Sequence, residues 1–391
     1  MRKPGTRLKA GMIVCLTVLL LASCGGRSGS AENEQGLALY ESGDYEGARD
    51  AFDEAIGEDS RRGIYYANKA LAQAGLSDFE GAGETVRQGL ELEPENAEIY
   101  RAAGIVSFQA GNYEEACGYF ESALGILGNE KGQTEMRTDI RRYKADAEYR
   151  TGDYAAAAEE YTQLIQTDEN NAEYYFLRGK AYAAAGDLDS ARPDFSKVNE
   201  LRPEKPEYYV TMYKLLSEGG YEEEGRTYLE TAVAIAPSGT EDQKSVGAAY
   251  YFLGNYEEAR NAFQAMPETE RDENAWIFLG LSLEGLGDNE GASQAFEQAL
   301  AMTDSQASVY YQMAVCQMKA GNYYQALADA QAGLALNDGN VNGRLAYAEA
   351  VCYEYLGDFQ TALQKFTAYR DTYGSSEAVE HEISFLQTRV Q

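Results

Sequence analysis

The residue types that most often carry out chemistry are scarce in this chain. Its 391 residues include five cysteines and a single histidine, His381. One imidazole is too few for most metal or acid–base sites. The sequence also contains no nucleophile elbow, phosphate-binding glycine loop, dinucleotide fingerprint, zinc-ligand spacing or EF-hand loop. We therefore predict a protein that is not an enzyme and that uses no cofactor or metal.

The charged residues restrict the choice of partner. The chain has 64 acidic and 33 basic residues, a formal net charge of −31. Nucleic acid is an implausible partner because its phosphates would be repelled. The acidic excess is typical of solvated helix faces, and it favours cationic partners.

The N-terminal residues are typical of an export signal. Residues 1–11 carry four positive charges, and residues 12–21 are apolar. The stretch Leu21-Ala22-Ser23-Cys24 follows, and it resembles the lipobox of bacterial lipoproteins, in which the cysteine becomes the lipidated first residue of the mature protein. We expect a signal peptide over 1–23, lipidation of Cys24, a flexible tether over 24–30 and a position on the extracytoplasmic side of the cell membrane. The alternative is an ordinary signal peptide cut nearby, with Cys24 incidental.

One pattern recurs along the rest of the chain. Its clearest copy has an apolar stripe on each of two helices, formed by Trp276, Leu279, Gly280 and Leu283, and by Ala292, Phe296 and Ala299. The turn between the helices reads Gly, then Asp or Asn, then often Tyr, because Gly closes one helix and Asp or Asn caps the next. An alanine follows three residues after the tyrosine position, at Ala48, Ala82, Ala116, Ala157, Ala191, Ala259, Ala292, Ala326 and Ala362, with Gly225 in its place in a degenerate sixth unit.

This pattern resembles the tetratricopeptide repeat (TPR). The resemblance implies an all-α fold, a right-handed superhelical solenoid of about ten helix-turn-helix repeats over residues 31–370. A capping helix is expected within 371–391, with an apolar stripe of Val379, Ile383, Leu386 and Val390. Extra residues at 128–133 predict a polar loop. Pro267 predicts a short second helix in the seventh repeat, which either bends the stack or is a tolerated irregularity.

Three further cysteines, Cys117, Cys316 and Cys352, lie within the repeats. Cys316 and Cys352 take the tenth position of adjacent repeats, which the family usually fills with alanine packed between first helices. Two interpretations stay open: small-residue packing, or a disulfide in the exported compartment.

TPR proteins generally bind partners on a concave surface lined by their first helices. The family's groove positions place aromatic and cationic side chains there in this acidic chain, namely Arg101, Phe108, Arg142, Tyr149, Arg150, Phe176, Lys180, Lys214, Lys244, Tyr251, Tyr311, Lys319 and Tyr347. Such side chains either anchor a peptide or simply cover apolar surface with their long stems. The chaperone-binding clamp of the family is not expected, because Ile105, Asp146 and Ala248 stand where it needs asparagine.

We therefore expect a membrane-anchored, extracytoplasmic scaffold that binds protein partners in a bacterial cell-envelope complex. The alternative is a lipoprotein that holds glycan, peptidoglycan fragment or peptide in the groove, where tyrosines would stack on sugar rings. A protein partner would depend on salt and on the Arg and Lys residues, whereas a sugar would depend on the aromatic residues.

Overall fold

The computed structural model describes residues 29–128, 132–302 and 306–390. These residues form twenty-one α-helices, one 3-10 helix over Glu268–Glu270 and no β-strand. The predicted all-α repeat fold is confirmed. The signal peptide, Cys24 and most of the tether lie outside the described residues. Among the helices that are described, none is both long and apolar enough to cross a bilayer.

The chain divides after Arg202 into two compact units. We call the described residues up to Arg202 unit 1. Its helices pair as five repeats, α1 Ser30–Glu41, α2 Tyr45–Glu58, α3 Gly63–Gly75, α4 Phe79–Leu92, α5 Ala97–Gln109, α6 Tyr113–Leu127, α7 Thr134–Thr151, α8 Tyr154–Thr167, α9 Ala172–Ala184 and α10 Leu188–Leu201.

Unit 2 comprises the described residues from Pro203. It holds five more helix pairs and a final helix, α11 Pro206–Glu218, α12 Glu222–Val233, α13 Thr240–Phe252, α14 Tyr256–Ala265, α15 Glu273–Gly285, α16 Asn289–Met302, α17 Ala307–Lys319, α18 Tyr323–Ala335, α19 Asn342–Tyr355, α20 Phe359–Tyr373 and α21 Glu377–Gln387.

The two helices of a repeat approach closely at a glycine. A Cβ added to Gly280 of α15 would lie 2.6 Å from Cε1 of Phe296 in α16, and one added to Gly104 would lie 2.4 Å from Cε1 of Phe120. Both phenylalanine rings are fully buried. The large and small residues of the repeat are therefore complementary in shape, as close-packed interiors require.

The first helices of neighbouring repeats also touch, α1 with α3, α3 with α5 and α5 with α7 in unit 1. They form one layer of that unit, and the side chains on their outward faces can meet across repeats. The candidate site lies on this layer.

The sequence predicted two irregularities of the repeat array, and the structure agrees with one in part and with the other fully. The extra residues before the fourth repeat are not all loop, because α7 begins at Thr134 and has 18 residues where α5 has 13. The predicted short second helix of the seventh repeat is confirmed, since α14 has 10 residues and ends at Ala265, ahead of Pro267.

Both ends of the array depart slightly from expectation. The fold begins before the predicted start at residue 31, because α1 begins at Ser30 and the Gly29 N–H donates to Oε2 of Glu58 at 2.9 Å. At the other end, α21 buries Val379, Ile383 and Leu386 against α19 and α20, as a cap should. Val390 lies beyond the end of this helix and is half-buried.

The cysteines of the repeats are free thiols. Cys316 and Cys352 are fully buried, and burial raises the pKa of Cys316 to about 12 and that of Cys352 to about 11. Cys117 is half-buried, and burial raises its pKa to about 11. Of the two interpretations, the structure shows small-residue packing.

Candidate functional site

A tyrosine at the start of many second helices contacts the next repeat. If Trp276 is counted as position 4 of its repeat, this tyrosine takes position 17 and meets position 13 of the following first helix. A Cβ on Gly75 would lie 2.7 Å from the ring of Tyr45, and one on Gly285 would lie 2.6 Å from that of Tyr256. In two repeats where position 13 is not glycine, its side chain lies on the tyrosine instead, Arg150 on Tyr113 and Tyr355 on Tyr323.

Arg150 of α7 is the cation at this position in unit 1. Its guanidinium carbon lies 5.4 Å from the ring centre of Phe108 and 5.3 Å from that of Tyr113. Its Nη1 donates to the Tyr113 hydroxyl and its Nε to Oδ2 of Asp146, both at 3.3 Å. These contacts orient the guanidinium while leaving further N–H groups for a ligand.

Lys180 of α9 lies beside this group. Its ammonium is 4.6 Å from the ring centre of Tyr149, which is within cation–π range. Burial lowers the pKa of Lys180, and Asp146 opposes that shift while Arg150 adds to it. The three charges of Asp146, Arg150 and Lys180 therefore act on one another.

Arg142 lies on the same face of α7 as Asp146 and Arg150. Arg142, Asp146 and Arg150 are spaced i, i+4 and i+8, so they follow one face of the helix over roughly 12 Å. Arg142 is exposed. Within the described part of the chain, neither Arg142 nor Lys180 forms an ion pair with a carboxylate.

We call these side chains the α7 patch, defined as Phe108, Tyr113, Arg142, Asp146, Tyr149, Arg150 and Lys180. The patch itself holds three cations and one carboxylate, Asp146; Asp139, which pairs with Arg101, and Glu173 lie close to rings that also feel the charge of Arg142. The patch is thus locally cationic and aromatic in a strongly acidic chain.

Two other residues predicted for this surface have different roles. Arg101 donates from Nε to Oδ2 of Asp139, and its side chain is only 17% exposed. This ion pair links α5 to α7. Phe176 is 7% exposed, so the prediction that it offers its ring to a partner is wrong. Burying the ring inside the fold removes its apolar area from water, worth roughly 1.5–3 kcal/mol.

In unit 2, two of the predicted cations are neutralised by the chain itself. Lys244 pairs with Oε2 of Glu241 at 2.6 Å and with Oδ2 of Asp272 at 2.8 Å. Lys319 pairs with Oε1 of Glu284 at 2.6 Å. Their charges serve contacts within and between repeats.

The remaining predicted residues of unit 2 are packed to differing degrees. Lys214 lies over the rings of Phe252 and Phe278 at 5.5 and 5.6 Å, and burial lowers its pKa. The other three are half-buried aromatic residues in ring or cation contacts, Tyr251 with Phe278, Tyr311 under Arg344, and Tyr347 with Phe366 and Tyr369.

Sequence reasoning did not predict that two tyrosines of unit 2 stack on each other, although Tyr355 occupies a groove position of the family. Tyr323 and Tyr355 stack with ring centres 4.5 Å apart, and Tyr355 is 64% exposed. Tyr324 beside them is 80% exposed. The turn pattern could have revealed this pair, because Tyr323 and Tyr355 are positions 17 and 13 of adjacent repeats.

Comparison with protein families decides the family. The sequence model of the Tetratricopeptide repeat matches residues 26–62, 67–130, 144–206, 247–307 and 279–341. The chain belongs to the tetratricopeptide repeat family.

Curated relatives of this TPR protein are distant. It is 27% identical over 186 residues to peptidyl-prolyl cis-trans isomerase FKBP4 of Bos taurus, covering 44% of this chain and 40% of the relative. It is 21% identical over 298 residues to TPR repeat-containing protein MJ1428 of Methanocaldococcus jannaschii, covering 71% of this chain and 51% of the relative. The TPR chain thus spans about half or less of the length of these relatives.

Solved structures include similar repeat proteins. YrrB, described as a TPR protein with an unusual peptide-binding site, is 26% identical with a TM-score of 0.40, covering 49% of this chain and 95% of that one. PilW, described as a widely conserved type IV pilus biogenesis factor, is 17% identical with a TM-score of 0.47, covering 57% of this chain and 100% of that one.

Taken as a TPR array, the chain is a protein-binding scaffold. The described residues hold no group of three or more His, Cys, Asp or Glu side chains arranged to bind a metal ion. What the α7 patch offers is recognition: fixed cations beside aromatic rings on a packed helical support.

Proposed function

We propose that this TPR protein is attached to the membrane by a lipid on Cys24 and binds a protein partner of a bacterial cell-envelope complex through the α7 patch, outside the cytoplasm. The observation that supports the binding site is which of the predicted cations are paired with carboxylates and which are not. Arg101, Lys244 and Lys319 are paired with carboxylates of the chain. Arg142 and Lys180, on the first helices of adjacent repeats, form no ion pair with any carboxylate that the structure describes.

Aromatic support strengthens this choice of site. Two of the three patch cations lie over aromatic rings, Arg150 over Phe108 and Tyr113 and Lys180 over Tyr149. A side chain that is already oriented loses less conformational entropy when it binds. Because the cations also cover these faces, the rings are less available for stacking on sugars, so a glycan in this part of the groove is the weaker alternative.

The binding proposal is tested by affinity capture from detergent-solubilised host membranes with the full-length protein. The test variant combines Arg142→Gln with Lys180→Met, which removes both unpaired charges and keeps an apolar stem over Tyr149. The matched control combines Arg192→Gln with Lys197→Met on α10, where both side chains pair with carboxylates of their own helix.

We expect one polypeptide to be captured by the wild type and by the α10 control, and to be lost with the α7 variant. Equal capture by all three proteins would place the partner elsewhere. Capture of nothing, together with binding of a glycan by the wild type, would favour the alternative function.

The anchor is supported by the sequence of residues 1–24. Replacing Cys24 with Ser should abolish incorporation of radiolabelled palmitate and release the protein from membranes, because a diacyl chain gives stable attachment that a bare N-terminus lacks. Cys15→Ser is the control, since it removes the other N-terminal cysteine and leaves the lipobox intact. A Cys24→Ser protein that is still labelled and still sediments with membranes would refute the anchor.

A further inference from the structure

The order of charges along α7 carries information about the ligand. Arg142 is at one end of the row, Asp146 is in the middle, and Arg150 is at the other end with Lys180 beside it. Each step is four residues, or roughly 6 Å along the helix. An anionic ligand is therefore attracted at two points and repelled between them.

We propose that the α7 patch recognises an extended acidic peptide segment with two carboxylates four residues apart, one facing Arg142 and the other facing Arg150 and Lys180. This inference rests on the proposed function and specifies the partner's binding segment. Along an extended chain, side chains at i and i+4 lie on one side and are roughly 13 Å apart. That distance matches the roughly 12 Å between Arg142 and Arg150 along α7.

Asp146 makes the spacing selective. A carboxylate two residues after the first one would lie opposite Asp146, and like charges at contact are unfavourable. A neutral residue or a hydrogen-bond donor fits there instead. An acidic run without a gap is therefore a poorer ligand than one with the four-residue spacing, although it carries more charge.

At the second point of attraction, which is formed by Arg150 and Lys180, the aromatic contacts orient the guanidinium so that it can bind a carboxylate. Arg150 lies against the rings of Phe108 and Tyr113, which also contact each other, and its Nε donates to Oδ2 of Asp146 at 3.3 Å. A planar guanidinium with free N–H groups suits bidentate pairing with a carboxylate. Lys180 adds a second charge next to it.

The test uses fluorescein-labelled heptapeptides that are acetylated and amidated, so that no terminal charge contributes. The first has glutamates at its second and sixth residues, the second has them at residues two and four, and the third replaces both by glutamine. Fluorescence anisotropy gives the Kd of each peptide for the full-length wild type, for the Arg142→Gln, Lys180→Met variant and for the α10 control. Circular dichroism confirms that each variant is folded, and the single substitution Arg142→Gln, at an exposed side chain, is tested as well.

We expect the peptide with four-residue spacing to bind the wild type and the α10 control at least tenfold more tightly than either other peptide, and to lose at least tenfold in affinity for the α7 variant. Equal binding of the first two peptides, or equal binding to wild type and α7 variant, would overturn the inference. If none of the peptides binds while membrane capture still depends on Arg142 and Lys180, the acidic segment is wrong and the proposed function stands. If neither peptide binding nor membrane capture differs between the wild type and the α7 variant, both the acidic-segment inference and the proposed binding site are wrong.

Discussion

Arg271 of unit 2 should stabilise the shortened seventh repeat. Pro267 lacks an N–H and cannot continue α14, which ends at Ala265, so the last carbonyl groups of that helix need other donors. Arg271 supplies them. Its Nε donates to the carbonyl of Phe263, and its Nη2 donates to the carbonyls of Gln264 and Met266, each at 3.0 Å.

These contacts set the size of the expected loss in the free energy of unfolding. The bonds to Phe263 and Met266 are partly buried and the bond to Gln264 is exposed. Two partly buried bonds contribute about 1 kcal/mol each. The guanidinium carbon also lies 4.8 Å from the ring centre of Trp276, a contact worth about 0.5–1 kcal/mol. We therefore expect Arg271→Ala to lower the free energy of unfolding by about 2–3 kcal/mol.

The chain provides a reporter and a control for this measurement. Trp276 is its single tryptophan, so urea unfolding followed by tryptophan fluorescence reads the eighth repeat directly. Arg260→Ala is the matched control: among the described residues, Arg260 bonds only to Glu257 and Asn261 on its own helix, so its loss should cost less than about 0.5 kcal/mol. Comparing midpoints avoids the change in fluorescence intensity that loss of the cation itself causes. An Arg271→Ala midpoint no lower than that of Arg260→Ala would refute the capping role.

Two further substitutions test the fold and its electrostatics. Ser77→Gly should stabilise unit 1 by about 1 kcal/mol, because Ser77 has φ 64° where the other turns use glycine, and a midpoint in thermal unfolding at or below that of the wild type would contradict this. Asp329→Asn should stabilise unit 2 by on the order of 1 kcal/mol at pH 7, because burial raises the pKa of the buried Asp329 carboxyl, whose Oδ2 has no hydrogen-bond partner among the described residues. A raised folded-state pKa means that ionisation costs stability as the pH rises through that pKa, so the gain from Asn should shrink as the pH falls towards the pKa of the unfolded chain; a gain that is constant from pH 4 to 8 would exclude this cause.

The repeat pattern was sufficient to predict the fold. Its spacing gives the alternation of helices, and residues such as Gly280 and Phe296 show which faces meet, because a close helix crossing needs a small residue opposite a large one. The short α14 followed from Pro267 for an equally local reason. Such features depend on residues near one another in sequence or on the repeat register.

The site was predicted less completely because a repeat position does not specify a side chain's partners. Arg101 and Arg142 are both basic residues at the fifth position of their repeats, yet Arg101 pairs with Asp139 on the next first helix, whereas Arg142 forms no ion pair with a carboxylate in the described part of the chain. Phe176 was placed on the surface by its position alone, and the structure buries it. The role of Tyr113 beneath Arg150 depends on contact between position 17 of one repeat and position 13 of the next, which appears only when adjacent repeats are compared.

Photo-crosslinking in the host cell tests whether the first-helix face of unit 1 contacts a protein partner. A photoreactive amino acid replaces Thr138, which lies four residues before Arg142 on the same face of α7 and leaves the charges of the α7 patch intact, and, in a second strain, Arg192 on the second helix α10 of the same unit. We predict that irradiation joins one defined polypeptide to the chain from position 138 and not from position 192. Crosslinks of equal yield from both positions, or from position 192 alone, would contradict the account.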